Sequence, residues 1–150
     1  MNLQPADDDF AQRVSASFAR QAVMHTLGAT LGEVQPGRVE ILLAHRPELT
    51  QQHGFLHAGI VSTALDSACG YAAFSLMPAD AAVLTIEFKV NLLAPARGPQ
   101  FRFVGDVTKA GRTISVVEGR AWQHDGTKES LVATMTATVM TVLGRSDLRH

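Results

Sequence analysis

Residues 51–76, QQHGFLHAGIVSTALDSACGYAAFSL, are the stretch that decides the fold of this chain. From residue 57 or 58 onward the segment contains no proline, and its apolar side chains cover most of a helical wheel. A helix that is apolar on nearly all sides is typically a buried helix. We therefore expect a long central helix that the remainder of the chain surrounds.

One charged side chain, Asp66, lies in the middle of this apolar segment. Burying a carboxylate without a partner is costly, so an acid at such a position is either paired structurally or kept for chemistry. The structural alternative is a hydrogen bond to Ser62, to Thr63 or to a partner chain. The catalytic alternative needs a second feature nearby.

The composition indicates one globular domain over residues 1–150, with residues 1–9 and 144–150 as loose tails. Charged residues make up 18% and apolar residues 46%, which excludes a disordered chain. The net charge of −1 comes with no basic stripe, so we expect no nucleic-acid partner. The chain has no secretory signal and no long uninterrupted apolar run, and its single cysteine fits a reducing compartment. We expect a cytoplasmic protein that does not contact a membrane.

The periodicity of the remaining sequence predicts a short amphipathic helix over residues 10–24 and six strands. The strands are predicted over residues 30–34, 38–43, 83–93, 101–108, 113–123 and 131–143. In the third of them, alternation predicts one apolar face of Leu84, Ile86, Phe88, Val90 and Leu92, and one polar face of Thr85, Glu87, Lys89 and Asn91. The last four strands are joined by short turns, so an antiparallel meander is predicted.

A single six-stranded antiparallel sheet wrapped around one long helix, an α+β fold, accounts for this order of elements. Such a sheet leaves an open edge and an uncovered face. Pairing of two chains usually covers both. We therefore expect an obligate homodimer, or a homotetramer built as a dimer of dimers.

The loop, the buried helix with its acid nine residues after His57, and the later turn APARG (residues 94–98) resemble the hotdog-fold acyl-CoA thioesterases, in particular the PaaI-like branch. The matching residues are Gln51, Gly54, His57, Ala58, Gly59, Asp66 and Gly70. The resemblance covers about residues 32–142 and implies hydrolysis of a small aromatic or medium-chain acyl-CoA to free acid and CoA. The family usually has glycine where this chain has Ala58, whose methyl group narrows the approach to the thioester.

The resemblance implies catalytic roles for Asp66, Ala58, Gln51, His57, Gly59 and Thr85. In a dimer the carboxylate of Asp66 would attack the thioester carbonyl, or activate a water, at a site whose helix start belongs to the other chain. The Ala58 N–H would stabilise the developing oxyanion at the positive end of the helix. Without the resemblance, Gln51 would be a solvated loop residue and Thr85 a half-exposed strand residue.

The resemblance also implies residues that bind the substrate. Contacts to CoA are expected from Asn91, Arg97, Lys109, Gly111 and Arg112, and contacts to the acyl group from Phe55, Tyr71 and Phe74. The guanidinium group of arginine presents donors that suit phosphate. Taken singly, each of the charged residues reads equally well as a plain surface charge.

No metal and no organic cofactor is expected, because CoA is part of the substrate. His53 and His57 are four residues apart, but no carboxylate accompanies them at metal-binding spacing. Two alternatives on the same fold remain, a non-catalytic acyl-CoA sensor and a hydratase or dehydratase. The acid at Asp66 argues against the sensor, and the lack of a later histidine in the helix argues against the hydratase.

Overall fold

The order of helices and strands follows the sequence prediction closely. The structure, a computed structural model, describes residues 2–148 and residue 150. The helices are α1 (Phe10–Arg20), α2 (Ala22–Leu27) and the central α3 (Ala58–Phe74). The strands are β1 (Thr30–Gln35), β2 (Arg38–Ala44), β3 (Ala82–Leu92), β4 (Gln100–Lys109), β5 (Ile114–His124) and β6 (Glu129–Val142). The predicted hotdog fold, one six-stranded antiparallel sheet packed around a long helix, is confirmed.

The single helix predicted over residues 10–24 is wrong, because the chain leaves the helical conformation at Gln21 (φ −78°, ψ 101°) and forms two helices. At this junction the Gln21 side chain accepts a hydrogen bond from the Ser67 hydroxyl of α3, over 3.1 Å. The second helix ends at Gly28, whose φ of 71° suits glycine. The break therefore places a polar side chain of the first helical segment against the middle of α3.

The predicted meander of the last four strands is also wrong in one place. The strand order is β1-β2-β4-β5-β6-β3, so β3 pairs with β6 and not with β4. Both edges of β4 are occupied, by β2 and by β5. The connection after β3 runs along the end of the sheet, where the N–H groups of Leu93 and Ala94 both donate to the Val132 carbonyl. Strand β3 thus becomes an edge of the sheet.

Two glycines let α3 lie unusually close to the sheet. A Cβ at Gly105 would lie 2.5 Å from the Ala68 carbonyl oxygen, and one at Gly119 would lie 3.0 Å from Sγ of Cys69. Larger residues at these two positions would push the helix away from the sheet.

Burial and the nearby negative charge of Asp66 raise the pKa of the Cys69 thiol. Cys69 is therefore a small, unreactive core residue.

The strict alternation predicted for β3 is broken by a bulge. Thr85 pairs with Val139 and Glu87 pairs with Thr138, so Ile86 is the extra residue between them. One extra residue reverses the faces of everything that follows. The predicted faces hold after the bulge but are wrong before it: Thr85 lies on the side of Phe88 and Val90, of which Val90 packs against the core, and not on the side of Glu87.

The edge strand β3 is also more exposed than the half-buried strand that its pattern predicts. Leu84, Ile86 and Phe88 remain 43%, 52% and 42% exposed. No other strand of the described chain covers the outer edge of β3. An apolar edge of this length in a single chain is a surface on which another strand can pair.

Both predicted tails make contacts where the structure describes them. The Ala6 N–H donates to the Leu76 carbonyl, and the His150 ring contacts the ring of Phe74 with their centroids 4.9 Å apart. Met1 and Arg149, which belong to the predicted tails, lie outside the described residues.

Candidate active site

Asp66 is held by the strand that the bulge reorients. The Thr85 hydroxyl donates to Oδ1 of Asp66 over 2.7 Å. The hydroxyls of Ser62 and Thr63 donate instead to carbonyls of their own helix, over 2.9 and 2.8 Å, so the structural pairing considered for Asp66 within α3 does not form. The only side-chain partner of Asp66 in the described chain thus comes from β3.

The environment of Asp66 disfavours its charged form. Burial raises the pKa of Asp66, and the hydrogen bond from Thr85 opposes the rise. Asp66 lines a cavity of about 250 Å³ together with Thr85, Ser67 and Tyr71. A carboxyl group whose pKa is raised by burial and that borders a cavity is a candidate for proton transfer.

The start of α3 leaves one backbone donor free. The His57 side chain accepts the Gly59 N–H at Nδ1 over 2.8 Å, and the His57 carbonyl accepts those of Ile60 and Val61. The hydrogen bonds of the described residues leave the Ala58 N–H without an acceptor. This free donor sits at the positive end of the helix, where an anion is stabilised.

His57 and Gly59 together build the helix cap. A Cβ at Gly59 would lie 3.1 Å from Nδ1 of His57, so glycine leaves room for the capping imidazole. The His57 ring nitrogen is occupied by this cap. This cap fixes the His57 ring beside the helix start, and the catalytic role that the resemblance implies for His57 stays a prediction.

Gln51 shapes the loop that precedes α3. Its Oε1 accepts the backbone N–H groups of His53 and Phe55, over 2.5 and 3.4 Å, and its own N–H donates to the Phe55 carbonyl over 2.9 Å. The side-chain carbonyl is therefore used within the loop, whereas the amide NH₂ has no acceptor in the described chain. Gln51, Phe55 and Ala58 line a mostly apolar cavity of about 370 Å³.

One chain does not bring Asp66 to the free N–H of Ala58. The two residues are eight positions apart on α3, which corresponds to about 12 Å along the helix axis. They also line two different cavities. Each chain thus carries two separate half-sites.

The residues predicted to bind CoA fall into three places. The Arg97 guanidinium lies 4.6 Å from the centre of the Phe55 ring, beside the helix-start cavity. Asn91 accepts from Lys89 and donates to Thr134 on the sheet face opposite α3. The remaining three, Lys109, Gly111 and Arg112, lie at the connection between β4 and β5. The structure thus brings only Arg97 of this group next to a cavity that holds predicted catalytic residues.

The three aromatic residues predicted to contact the acyl group separate in the same way. Phe55 lines the helix-start cavity, and Tyr71 lines the cavity of Asp66. Phe74 is buried, and its ring lies 4.8 Å from the Arg13 guanidinium. Sequence reasoning missed Gln21 altogether, because nothing local signals its contact with a helix 46 residues further along.

The described residues contain no group of His, Cys, Asp and Glu side chains arranged to hold a metal ion. Among the same residues, no helix is both long and apolar enough to cross a membrane.

A family model described as the thioesterase superfamily matches residues 53–130, which include the helix start and Asp66. The chain belongs to the thioesterase superfamily. Its predicted class, a thioester hydrolase on a hotdog fold, is thereby confirmed.

Similar proteins support the same assignment. A thioesterase family protein from Silicibacter pomeroyi is 58% identical, with a TM-score of 0.89 over 90% of this chain and 99% of that one. A protein of Saccharolobus solfataricus named "putative esterase" is 34% identical over 93 residues, which are 62% of this chain and 66% of that protein. This chain thus spans just under two thirds of that relative. The Escherichia coli PaaI protein from the phenylacetic acid degradation operon shares the fold, with 16% identity and a TM-score of 0.81 over 89% of this chain and 94% of that one.

Proposed function

We propose that two copies of this chain form a homodimer that hydrolyses an acyl-CoA, with a small aromatic or medium-chain acyl group, to the free acid and CoA. The observation that carries the proposal is the pair of half-sites on α3. One half-site offers the free N–H of Ala58 beside an apolar cavity, and the other offers the carboxyl group of Asp66 with a raised pKa. Hydrolysis of a thioester needs both.

The edge of the sheet supports the pairing of two copies. Strand β3 has a free outer edge and exposes Leu84, Ile86 and Phe88. Pairing with β3 of a second copy would cover these side chains and satisfy the free backbone groups. Thr85 holds Asp66 from this same strand. The acid therefore lies close to the edge at which the second copy, with its own helix start, would dock.

The proposed chemistry uses the free atoms of each half-site. The thioester carbonyl oxygen accepts the Ala58 N–H, with the NH₂ group of Gln51 as a second donor. Because Oδ1 of Asp66 is held by Thr85, Oδ2 either takes a proton from a water or attacks the carbonyl carbon itself. A C–O bond from the water or from Asp66 replaces the C–S bond, and the CoA thiolate leaves and takes up a proton, from the Asp66 carboxyl group in the first case and from solvent in the second. In the second case a water then attacks the acyl–Asp66 anhydride, which releases the free acid and restores the carboxylate. We propose that no metal or organic cofactor takes part.

The remaining contacts are proposed for CoA. Arg97, stacked on Phe55 at the mouth of the helix-start cavity, would bind a phosphate group, since guanidinium donors suit phosphate. Lys109 and Arg112 would add positive charge for the nucleotide part. The single thiol, Cys69, is buried and unpaired, so we place the reaction in the cytoplasm, where thiols stay reduced.

The test is release of CoA from a panel of aryl and aliphatic acyl-CoAs by the wild type, Asp66→Ala and Asp66→Asn. We expect turnover of at least one ester by the wild type, and a loss of kcat of a hundredfold or more, about 2.7 kcal/mol, in both variants. Asp8→Asn is the matched control, because Asp8 is exposed and far from α3 in the sequence. Binding of the esters with no turnover by any of these proteins would instead make the protein an acyl-CoA sensor.

A further inference from the structure

The cavity of Asp66 continues beyond the acid toward the junction of α1 and α2. A second cavity, of about 200 Å³, is lined by Ser17, Arg20, Gln21, Tyr71 and His150. It shares three of these residues, Gln21, Tyr71 and His150, with the Asp66 cavity of about 250 Å³. The two cavities therefore border each other at these three residues, with Asp66 lining one cavity and Arg20, the last residue of α1, lining the other.

Gln21 lines both cavities with a polar side chain. Its Oε1 accepts the Ser67 hydroxyl over 3.1 Å, which fixes the orientation of the amide. The two N–H bonds of Nε2 have no acceptor among the described residues. Gln21 therefore lines this space with two unused donors.

A chain of hydrogen bonds links His150 and Ser17 to Tyr71, which also lines both cavities. The Val83 N–H donates to Nε2 of His150 over 3.1 Å, so the proton of the neutral ring is on Nδ1 and is donated to the Ser17 hydroxyl. Burial lowers the pKa of His150, which keeps the ring neutral. The hydroxyls of Ser17 and Tyr71 are hydrogen-bonded to each other over 3.2 Å. With Ser17 as the donor in this bond, the Tyr71 O–H is free to donate into the cavity.

Arg20 adds a positive charge at the far end. It is exposed, and it forms no ion pair with the described residues. Burial raises the pKa of Tyr71, and the hydrogen bond to Ser17 and the charge of Arg20 oppose that rise. The phenol therefore keeps its proton, and the far end of the space offers Gln21, Tyr71 and Arg20 as three donors.

We propose that Gln21 is a specificity-determining residue that, with Tyr71 and Arg20, selects acyl groups whose far end carries a hydrogen-bond acceptor. The inference rests on the proposed function, because it takes the space beyond Asp66 as the place of the acyl group. A cavity of about 150 Å³ accommodates benzene in another protein. The space beyond Asp66 is larger, so a substituted phenyl ring or a six-carbon chain fits. A hydroxyl group and a carboxylate share the required chemistry.

The experiment compares two matched pairs of esters. Benzoyl-CoA with 4-hydroxybenzoyl-CoA tests a hydroxyl end, and hexanoyl-CoA with adipoyl-CoA tests a carboxylate end. For each pair the readout is the ratio of kcat/KM for the polar ester to that for the apolar ester. We expect the wild type to prefer the polar ester in at least one pair by more than about tenfold, the range in which an unpaired polar site discriminates.

Two substitutions at Gln21 distinguish the loss of its N–H donors from a change in side-chain packing. Gln21→Met keeps the volume and removes the amide, whereas Gln21→Glu keeps an acceptor for Ser67 and removes the N–H donors. Both should lower the polar-to-apolar ratio about tenfold or more. Gln12→Met is the matched control, because Gln12 is an exposed residue of α1 outside both cavities, and its ratio should equal that of the wild type.

The outcomes distinguish this inference from the proposed function. Turnover with the same ratio in wild type and both Gln21 variants overturns the inference alone, as does a parallel loss for both members of each pair. If the wild type releases CoA from no ester, the proposed function fails. In that case the affinities of the polar and the apolar ester of each pair are compared by calorimetry. Equal affinity for both members of each pair overturns the inference too. Thermal unfolding of each variant identifies a substitution that only impairs folding.

Discussion

The two half-sites on α3 differ in their exposure, in the chemical group that each offers and in the lining of their cavities. At its start, exposed His57 and Ala58 offer a free backbone donor beside an apolar cavity. In its middle, half-buried Asp66 offers an acid held by a hydroxyl, in a cavity that continues into polar side chains. A donor without an acid stabilises an oxyanion that nothing generates, and an acid without a donor leaves the oxyanion unstabilised. In the proposed function neither half-site is therefore sufficient, and catalysis would depend on bringing two copies together.

The largest effect is expected from removing the donor alone, by Ala58→Pro. Ala58 is the first residue of α3, a position that favours proline, and the preceding His57 (φ −60°, ψ 139°) already has the conformation that proline requires. The substitution removes one N–H and preserves the helix. We expect kcat to fall about a hundredfold to a thousandfold, the usual loss for one oxyanion donor. Steady-state CoA release, with circular dichroism as the check on folding, measures it.

Ala58→Ser is the matched control for this substitution. It changes the side chain and keeps the backbone N–H, so kcat should stay close to that of the wild type. An Ala58→Pro variant that folds and retains its kcat would show that the free N–H is not the oxyanion donor.

Mixed dimers of two inactive variants test directly whether each site takes residues from both chains. In a dimer of Ala58→Pro with Asp66→Asn, one site carries both substitutions and the other carries neither. Unfolding and refolding the two variants together should give half mixed dimers and recover about a quarter of wild-type activity, if a two-fold dimer builds each site from both chains. Refolding each variant alone should recover none. Absence of recovery, with mixed dimers detected by mass spectrometry, would place both residues of one site in the same chain.

The two edges of the sheet offer a smaller but independent test. Strand β3 exposes apolar Ile86, whereas β1, at the other edge, begins with exposed Thr30. A lysine on an edge strand opposes pairing with another chain. Ile86→Lys should shift the protein to monomers in analytical ultracentrifugation and lower activity about tenfold or more at the lowest protein concentrations, with recovery as concentration rises. Thr30→Lys should change neither, and equal behaviour of the two variants would exclude pairing through β3.

The sequence was sufficient to predict α3, because a helix that is apolar on nearly all sides is a strong local signal. It also singled out Asp66 as a candidate, because an acid within such a helix is an exception to that signal, and its role stays a prediction. It also predicted the strands, but it placed Thr85 on the wrong face. Period-two alternation assigns each residue to a face of the strand from the residue types of its neighbours. A single extra residue at Ile86 reverses the faces without changing the pattern of residue types.

Contacts between distant segments were beyond the reach of any local pattern. The pairing of β3 with β6 follows from which sheet edges the other strands leave free, and that is a property of the whole chain. Gln21 gave no signal as a functional candidate, since a glutamine near a helix end is ordinarily a surface residue. Its position beside Ser67 depends on a break between two helices that the periodicity of residues 10–24 does not show.

The smallest expected effect is on the pH dependence of the reaction, through Thr85→Ala. In the proposed reaction the carboxylate is the active form of Asp66, so activity should fall as pH decreases through its pKa. The hydrogen bond from Thr85 lowers that pKa, and its removal therefore raises the pKa further and moves the acid limb of kcat/KM to higher pH. The loss should be about two- to tenfold on the acid limb, the value of one hydrogen bond, and should shrink as pH rises.

Thr85→Ser keeps the hydroxyl and should keep the wild-type pH dependence of kcat/KM. Ala58→Ser should leave the acid limb at the same pH, because it alters no group that contacts Asp66. A limb that moves in Thr85→Ala, but not in these two variants, assigns the ionisation to the middle of α3 and not to its start. A limb at the same pH in all four proteins would mean that another group titrates, and Asp66 would then lose its role as the base.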